Sequence, residues 1–420
     1  MTVGTMTAGT LIVGASQAGV QLAVSLRERG DTSPITLVGA EPHAPYQRPP
    51  LSKEFLSGTA GHESLAFRTP AFYADAGIEL VCGERVLDVT LPGPAGTGVA
   101  ATSSGLRLEF DRLALTVGAR PRRLQVPGAD LAGVLYLRDL DDATQLRSAL
   151  AAASRVVVIG GGFIGLEAAA AARGHGKAVT VVEMADRLVG RAVAPVVSEF
   201  YRQAHERRGT TVLLSTGVTA LTGADGRVDG VVLADGSTVP ADLVMVGVGV
   251  VPRTELAEQL GLECDGGIVV DSQARTSRPS VVAAGDCTVQ PHPMTGLGRV
   301  RLESVPSAVA QAAIAAATLT GAVVETRTVP WFWSNQGDLR LQIAGLSTGF
   351  DQHVLRGDPA TEKFSVLYFR QGELLAVDAV NTPADYLAVR KALTQGIPLA
   401  PADVADSTVS LKSVLAAATS

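Results

Sequence analysis

Two segments of the chain share one pattern of apolar and polar positions, in which a short apolar run enters a glycine-rich turn and then an amphipathic stretch. In one, residues 156–159 are a β-branched run, an alanine-rich stretch follows, and 179–182 are apolar again. In the other, a strand at 10–13 precedes a helix predicted over 18–30 and a strand over 35–38. Each strand–helix–strand pattern predicts a βαβ unit with parallel strands. We therefore expect an α/β protein with two Rossmann-like domains.

The turn of the first pattern carries the spacing of a dinucleotide-binding site. Gly160, Gly162 and Gly165 follow G-x-G-x-x-G, and Glu183 ends the next strand. The first glycine permits a tight turn, the second lets backbone approach a pyrophosphate, and the third lets the helix lie close to the sheet. The alternative is a glycine-rich packing turn without a ligand. Because strand, helix, second strand and acid all occur together, the pattern predicts a nucleotide site.

Glu183 also bears on the choice of cofactor. A carboxylate at this position accepts from a ribose 2′-hydroxyl and repels a 2′-phosphate, so NADH is predicted over NADPH. Arg187 and Arg191 lie downstream and are the residues that could allow NADPH to bind.

The second pattern repeats the fingerprint with a substitution. Gly14, Ser16 and Gly19 occupy the glycine positions, and serine is small enough for a pyrophosphate to approach. The acid is displaced, because Ala40 follows the strand and Glu41 comes next. A packing unit without a ligand is again the alternative. Two nucleotide units in one chain are what an enzyme using FAD and NAD(P)H needs.

Other segments add candidate residues. The prolines of segment 45–53 predict a stiff, extended loop that directs Arg48 and Lys53, or else an ordinary surface connection. Residues 78–117 alternate as antiparallel strands do, and 243–252 form one buried strand with Gly247 and Gly249.

Two features of the last third of the chain also bear on a ligand. Asp286 follows a buried strand, where it can accept from a ligand hydroxyl or cap the next turn. From about residue 324 the chain changes to short alternating strands that contain Trp331 and Trp333. These tryptophans are either core anchors of a small α+β domain or contacts to a cofactor.

Composition excludes several classes of function. The 420 residues, 46% hydrophobic with a net charge of -6, suit two or three domains and show no basic stripe for nucleic acid. No targeting segment and no transmembrane-length apolar run is evident, so a cytoplasmic protein is predicted. Cys82, Cys264 and Cys287 are far apart, which argues against a redox disulfide, a zinc site or an iron–sulfur cluster in this chain.

Eight ordered motifs make the family recognisable. They are R-P-P-L-S-K at 48–53, T-V-G-A-R-P-R at 116–122, Y-L-R at 136–138, V-V-I-G-G-G-F-I-G-L-E at 157–167, A-D-L-V at 241–244, A-G-D-C at 284–287, E-S-V-P at 303–306 and P-W-F-W-S at 330–334. Over essentially its whole length the chain resembles the NADH-dependent, FAD-containing ferredoxin reductases of oxygenase systems, the family of putidaredoxin reductase and biphenyl dioxygenase ferredoxin reductase.

The resemblance implies a division of the chain and a set of binding residues. FAD is expected on 1–113 with 243–324 and NADH on 114–242, two Rossmann-like domains of the glutathione-reductase type, and a C-terminal α+β domain is expected on 325–420. The implied FAD contacts are Gly14, Ser16, Ala18, Gly19, Glu41, Arg48, Lys53, Val86, Arg138, Asp286 and Val305, and the implied NADH contacts are Gly160, Gly162, Phe163, Ile164, Gly165, Glu167, Glu183 and Gly249. Ala40 departs from the family pattern, which makes Glu41 the substitute acid.

The resemblance also implies a mechanism. Lys53 and Glu167 are expected to form an ion pair beside the flavin, and Trp331 or Trp333 to shield the ring or help electrons leave it. Hydride from NADH would reduce FAD, which would pass single electrons to a [2Fe–2S] ferredoxin serving a cytochrome P450 or a ring-hydroxylating dioxygenase. A rubredoxin reductase and an NADH oxidase are the alternatives on the same scaffold. A flavin disulfide reductase lacks its cysteine pair here, and a nucleotide-responsive interaction protein like the apoptosis-inducing factors is the non-enzymatic alternative.

Overall fold

The computed structural model describes residues 9–93, 96–324 and 328–418. The strands of the first half are β1 Thr10–Val13, β2 Ile35–Gly39, β3 Ile78–Cys82, β4 Val86–Thr90, β5 Gly98–Thr102, β6 Arg107–Phe110, β7 Arg112–Leu115, β8 Ala119–Pro121, β9 Val134–Leu135, β10 Arg155–Ile159, β11 Ala178–Val182 and β12 Thr210–Leu213. The later strands are β13 Val218–Ala224, β14 Arg227–Leu233, β15 Thr238–Pro240, β16 Leu243–Val246, β17 Val250–Pro252, β18 Ile268–Val269, β19 Val281–Ala283, β20 Thr288–Pro291, β21 Arg299–Val300, β22 Trp331–Gln336, β23 Leu339–Gly345, β24 Gln352–Asp358, β25 Lys363–Arg370 and β26 Glu373–Val380. The helices are α1 Gln17–Glu28, α2 Pro70–Asp75, α3 Leu140–Ala152, α4 Phe163–Gly174, α5 Pro195–Arg207, α6 Glu255–Gln259, α7 Val305–Leu319, α8 Pro383–Gln395, α9 Pro401–Val404 and α10 Leu411–Ala417.

The chain forms two compact units, each made of three segments. The first comprises Met1–Gln47, Leu65–Arg120 and Val251–Pro330, and the second comprises Arg48–Ser64, Pro121–Val250 and Trp331–Ser420.

The first unit is built on a parallel sheet of order β19-β7-β1-β2-β3. Strands β1, β2 and β19 are fully buried and β7 largely so, because helices cover a parallel sheet on its faces, whereas the edge strand β3 is partly exposed. Helix α7, rich in alanine, packs against α1, since small side chains allow the two helices to approach closely. A small antiparallel sheet, β4-β5-β6, adds to this unit.

The second unit contains a parallel sheet of order β12-β11-β10-β16-β9 and an antiparallel sheet of order β22-β23-β26-β25-β24. A three-stranded meander, β13-β14-β15, lies in the same unit. Helix α4 contacts β10 and β11 of the parallel sheet and β22 of the antiparallel one. One helix therefore links the nucleotide fingerprint to the C-terminal strands. Two parallel sheets with a C-terminal α+β portion confirm the predicted fold class.

Three predictions about local structure were wrong. The antiparallel prediction for segment 78–117 is confirmed for β4, β5 and β6 but wrong for β3 and β7, which pair in parallel with β2 and β1. Alternation along a strand does not specify the direction of its partner. Segment 243–252 is interrupted after Val246, where Gly249 takes a φ of 91°, so β16 and β17 are separate.

The third error concerns the proline-rich segment. Pro49–Ser52 form a 3-10 turn in which Leu51 N donates to Arg48 O and Lys53 N to Pro50 O, at 2.9 and 3.0 Å. Proline fixes φ near -65°, a value that suits an extended chain and a 3-10 turn equally, so the residue type alone could not decide.

Within the part of the chain that the structure describes, no helix is both long and apolar enough to cross a membrane.

Candidate functional site

The turn between β10 and α4 has a conformation that its glycines alone permit. Gly160 has a φ of 108°, and a Cβ there would lie 2.5 Å from Gly247 O. A Cβ on Gly165 would lie 2.2 Å from Gly160 O, so a side chain would push the helix off the strand. A Cβ on Gly162 would meet nothing within 4 Å. The chain itself requires Gly160 and Gly165, while the open space over Gly162 at a helix N-terminus fits a pyrophosphate.

Glu183 is held by backbone donors at the end of β11. Gly161 N donates to its Oε2 at 2.6 Å, and Ala185 N donates to its Oε1 at 2.7 Å. Each carboxylate oxygen keeps a further lone pair, so the side chain is oriented and can still accept from a ribose hydroxyl. Gly161 was not singled out from the sequence, although a Cβ there would lie 2.5 Å from Leu188 Cδ2.

The two arginines downstream of Glu183 differ in their availability. Arg187 is already engaged, because its guanidinium donates to Val193 O at 2.6 Å and to Gly190 O. Arg191 is exposed, and its Nη2 lies 3.9 Å from the position of a Cβ on Gly249. Arg187 therefore cannot serve a 2′-phosphate without breaking its loop, which favours NADH.

The predicted Lys53–Glu167 ion pair exists. Lys53 Nζ lies 2.7 Å from Glu167 Oε2 and also donates to Pro49 O at 3.2 Å. Glu167 is only 4% exposed, yet its carboxylate has further donors in Ser52 Oγ at 2.5 Å and Ser334 Oγ at 2.7 Å. A buried carboxylate needs a cation and hydrogen bonds together, and this one has both.

Other predicted residues of the second unit lie on nearby elements. Arg48 Nη1 donates to Arg138 O at 2.7 Å, which joins the two arginines expected to contact FAD. Ile164 is exposed, while the Phe163 ring packs 4.7 Å from that of Phe332. Trp331 stacks on Trp333 at 5.5 Å and has the Arg390 guanidinium 4.8 Å from its ring centre.

The first unit reproduces the same turn between β1 and α1. Gly14 has a φ of 119° with a Cβ position 2.2 Å from Thr116 O, and a Cβ on Gly19 would lie 2.0 Å from Gly14 O. A Cβ on Gly160 or Gly165 of the second unit would meet the equivalent backbone oxygens, Gly247 O and Gly160 O. Ser16 takes the N-cap position of α1, matching Gly162 at α4. Ala18 is buried behind it.

The remaining predicted residues of the first unit are placed around this turn or beside it. Asp286 is half-buried and follows β19, a strand whose carboxyl end lies at the same sheet edge as that of β1. Glu41 accepts from the Tyr46 hydroxyl and lies just after β2. Val86 starts β4 and Val305 starts α7, so neither belongs to the glycine turn itself.

Comparison with known proteins decides the family. Residues 9–312 match the family model for pyridine nucleotide-disulphide oxidoreductases, and 331–415 match the model described as reductase C-terminal. The chain belongs to the pyridine nucleotide-disulphide oxidoreductase family. The predicted resemblance to ferredoxin reductases is confirmed, as are the assignment as an oxidoreductase and FAD and NAD(H) as cofactors.

Its relatives in this family cover nearly the whole chain. Rhodocoxin reductase of Rhodococcus erythropolis is 47% identical over 97% of this chain and 94% of its own. Putidaredoxin reductase of Pseudomonas putida is 40% identical over 97% of each chain. Among solved structures, the ferredoxin reductase for the CYP199A2 system of Rhodopseudomonas palustris has a TM-score of 0.93 at 42% identity and covers 97% of this chain and 100% of its own.

The disulphide in the family's description has no counterpart here. Cys82, Cys264 and Cys287 are all free, and burial raises the pKa of the Cys287 thiol to about 12. A thiol with so high a pKa is a poor nucleophile at neutral pH. In the described ranges no cluster of His, Cys, Asp or Glu could hold a metal ion. None of the three cysteines is therefore paired in a disulfide in the structure.

Several residues of the sites were not found from the sequence. Gln311, buried in α7, accepts from Gly285 N at 2.7 Å and Thr288 Oγ1 at 3.0 Å, and so fixes the turn that carries Asp286. Ser52 and Ser334, the further donors to Glu167, were also missed. The sequence does indicate a role for Gln311, because this amide interrupts an otherwise apolar helix face and a buried amide needs hydrogen-bond partners.

The space over Gly162 supplies the first test. Gly162→Ala is expected to fold and retain flavin as the parent protein does, because its Cβ meets no protein atom. Since that Cβ would stand where a pyrophosphate approaches, the KM for NADH should rise by about tenfold or more. Steady-state kinetics and thermal unfolding separate the two effects. Gly165→Ala is the contrasting variant and should both raise the KM for NADH and lower the unfolding temperature, because its Cβ would meet Gly160 O. Equal KM values for Gly162→Ala and the parent protein would show that the pyrophosphate does not bind at this turn.

Proposed function

We propose that this protein is an NADH-dependent ferredoxin reductase, passing electrons from NADH through FAD to a [2Fe–2S] ferredoxin that serves a cytochrome P450 or a ring-hydroxylating oxygenase. The observation that carries the proposal is similarity along nearly the whole chain to reductases named for such partners. One solved relative is the covalent putidaredoxin reductase–putidaredoxin complex, which has a TM-score of 0.94 and is 39% identical.

The residues of the second unit support NADH binding. In the proposal the Gly160–Gly165 turn receives the pyrophosphate, Glu183 accepts from the ribose hydroxyl, and Gly249 lets the cofactor approach the backbone. NADH binding belongs to segment 114–242, FAD binding to 1–113 with 243–324, and residues 325–420 form the third domain, within which Trp331 is assigned to the flavin.

Bound FAD would supply the chemistry, the conversion of a two-electron hydride donor, NADH, into a source of single electrons for a one-electron carrier. The chain's own contribution is binding, orientation and charge. Lys53 would offer a positive charge to the flavin, since its ammonium is held by hydrogen bonds to Glu167 Oε2, to Pro49 O and, at 3.5 Å, to Ser52 Oγ. Glu167 keeps that ammonium in position. No side chain has to act as nucleophile or general base.

A rubredoxin is the second candidate partner. Rubredoxin-NAD(+) reductase of Pseudomonas putida is 38% identical over 89% of this chain and 96% of its own. The two partners differ in their metal centre but draw single electrons from the reductase in the same way, so the fold alone does not separate them.

The proposal locates the enzyme in the cytoplasm, where NADH is the available reductant and thiols such as its three cysteines stay reduced.

Cytochrome c reduction by NADH tests the proposal directly. The holoenzyme is assayed alone, with each member of a panel of [2Fe–2S] ferredoxins, and with a rubredoxin. We expect at least one ferredoxin to raise the rate by about tenfold or more, with little oxygen consumed in its absence. Stimulation by rubredoxin alone would favour the second candidate. Rapid oxygen consumption that no carrier changes would indicate an NADH oxidase.

A further inference from the structure

A line of buried polar side chains continues from Glu167 into the second unit. Ser334 Oγ, which donates to Glu167 Oε1, accepts from Gln336 Nε2 at 3.3 Å. Gln336 Oε1 in turn lies 2.8 Å from His205 Nε2. Ser334, Gln336 and His205 are 0%, 1% and 2% exposed. Most polar groups this deeply buried are hydrogen-bonded, and each of these three is bonded to the next, so the whole line is one network.

The direction of the network follows from its donors and acceptors. The amide oxygen of Gln336 can only accept, so His205 Nε2 carries the proton. The amide nitrogen of Gln336 can only donate, so Ser334 Oγ accepts from it and directs its own hydrogen to Glu167. Burial lowers the pKa of His205, and nearby Arg208 lowers it further, which keeps the ring neutral at pH 7. Every hydrogen bond from His205 onward therefore points towards the carboxylate.

The elements explain why these residues line up. Residues 332, 334 and 336 alternate onto one face of β22, where Phe332 packs on Phe163 and Ser334 reaches Glu167, both on α4. Gln336, two residues further on, reaches His205 on α5. A buried strand face would ordinarily be apolar, and here it carries Ser334 and Gln336 instead. Burying an amide and a hydroxyl has an energetic cost that their partners must offset, which suggests a role for the line beyond packing.

We propose that His205, Gln336 and Ser334 are positioning residues, a one-way chain of hydrogen-bond donors that fixes the Glu167 carboxylate and, through it, the Lys53 ammonium for the flavin. This inference rests on the proposed function, because it concerns the charge that Lys53 offers to FAD. The structure provides the mechanism for it. Without the donor on Oε1, the carboxylate of Glu167 can rotate, and the Lys53 ammonium that follows Oε2 loses its fixed direction.

The experiment compares variants that break the chain with variants that keep it or lie outside it. Ser334→Ala removes the last donor, and His205→Leu removes the first. His205→Gln retains an N–H donor near the Nε2 position and should rescue the effect. Ser365→Ala is the matched control, since Ser365 is a fully buried serine of the same sheet whose hydroxyl donates to a different carboxylate, Asp385.

Two properties of the holoenzyme are measured. The first is the order of the Lys53 side chain, measured by NMR relaxation of its ¹³Cε signal. The chain has five lysines, so the signal that disappears in a Lys53→Arg variant is assigned to Lys53. The second is anaerobic flavin reduction at increasing NADH, which separates the limiting rate from the Kd for NADH. Ser334→Ala and His205→Leu should increase Lys53 mobility and lower the limiting rate by about tenfold, the size expected on losing a hydrogen bond to a charged group. The Kd for NADH should stay within about twofold, because the Gly160–Gly165 turn and Glu183, which are assigned to the pyrophosphate and the ribose, are left unchanged.

The outcomes distinguish this inference from the proposed function. If Ser334→Ala and His205→Leu match Ser365→Ala in Lys53 order and in limiting rate, the donor chain is overturned while NADH-driven flavin reduction stands. If the parent enzyme is not reduced by NADH at all, the proposed function fails, and the Lys53 relaxation still decides whether the chain positions this residue. If His205→Gln restores Lys53 order and the limiting rate, the chain of donors is supported. If His205→Gln folds normally but restores neither, His205 acts only by filling space.

Discussion

Lys53→Met is expected to lose about 3 kcal/mol of unfolding free energy and about 10²-fold or more of its rate of flavin reduction by NADH. The stability loss arises because the Glu167 carboxyl group, 4% exposed, would be left buried without its cation. The donors Ser52 and Ser334 remain, which places the loss at the lower end of the range for broken buried pairs. The rate loss arises because the positive charge offered to the flavin disappears.

A second substitution separates these two effects. In Lys53→Met/Glu167→Leu the unpaired charge is gone, so most of the lost stability should return, since apolar replacement of a buried pair is often neutral. The slow flavin reduction should persist. Urea unfolding and anaerobic stopped flow measure the two quantities. Recovery of fast reduction in the double variant would show that the charge of Lys53 has no part in the chemistry.

An exposed ion pair provides the control. Arg155 and Asp242 form a close pair whose side chains are 51% and 33% exposed. Arg155→Met should change the unfolding free energy by no more than about 1 kcal/mol, because solvent screens such pairs. A loss as large as that of Lys53→Met would indicate that burial is not the cause.

The second large effect concerns Asp378, a fully buried carboxyl group of β26. Burial raises its pKa from the ordinary 3.8 of an aspartate to about 7, although the Tyr368 hydroxyl donates to Oδ2 at 2.5 Å. Its Oδ1 has no hydrogen-bond partner among the described residues, nor does the hydroxyl of Tyr201, a buried side chain in the same unit. The pKa of Tyr201 is raised by its burial first, and further by the charges of Asp378 and Glu167.

The sign of the pH dependence follows from the two states. Between about pH 4 and pH 7 the folded protein holds a proton on Asp378 that the unfolded chain has released. The stability from this group is therefore complete below about pH 4, decreases as pH rises, and is lost above about pH 7. With about 1.4 kcal/mol for each pKa unit, the total change is on the order of 4 kcal/mol.

Asp378→Asn isolates this contribution. The amide keeps the shape of the side chain and does not titrate, so the difference in stability between parent and variant should shift by on the order of 4 kcal/mol in favour of the variant between about pH 4 and pH 8. Tryptophan fluorescence during urea unfolding reports on the relevant unit, because the chain's two tryptophans, Trp331 and Trp333, lie in the same sheet as Asp378. A difference that does not vary with pH would show that Asp378 is ionised in the folded state throughout.

Some features of the site were predictable because they are local. A glycine that must take a positive φ, as at Gly14 and Gly160, leaves its mark in the sequence at a fixed distance from the strand before it. The small residues at the second and third positions of each fingerprint, Ser16 and Gly19 or Gly162 and Gly165, are required by the same turn and so lie at fixed distances from the first. The acid at Glu183 is also local, since it only has to end the next strand.

Other features depend on contacts that sequence spacing does not encode. Ser52 and Ser334 lie 115 and 167 positions from Glu167, and nothing in a serine's immediate neighbours indicates such a partner. The pairing of β3 with β2 was missed for the same reason, because an alternating strand fits a parallel or an antiparallel neighbour. The Lys53–Glu167 pair itself was expected only from family resemblance, and the fold then supplied the hydroxyl donors that complete it.

Anaerobic mixing of the protein with NADH in a stopped-flow spectrophotometer shows whether NADH delivers a hydride to FAD held by this chain. Purified protein should be yellow, and NADH should bleach the flavin absorbance rapidly. NADPH, repelled by Glu183, should do so at least about tenfold more slowly at equal concentration. A protein that binds no FAD on reconstitution, or a bound flavin that NADH leaves oxidised, would contradict the account.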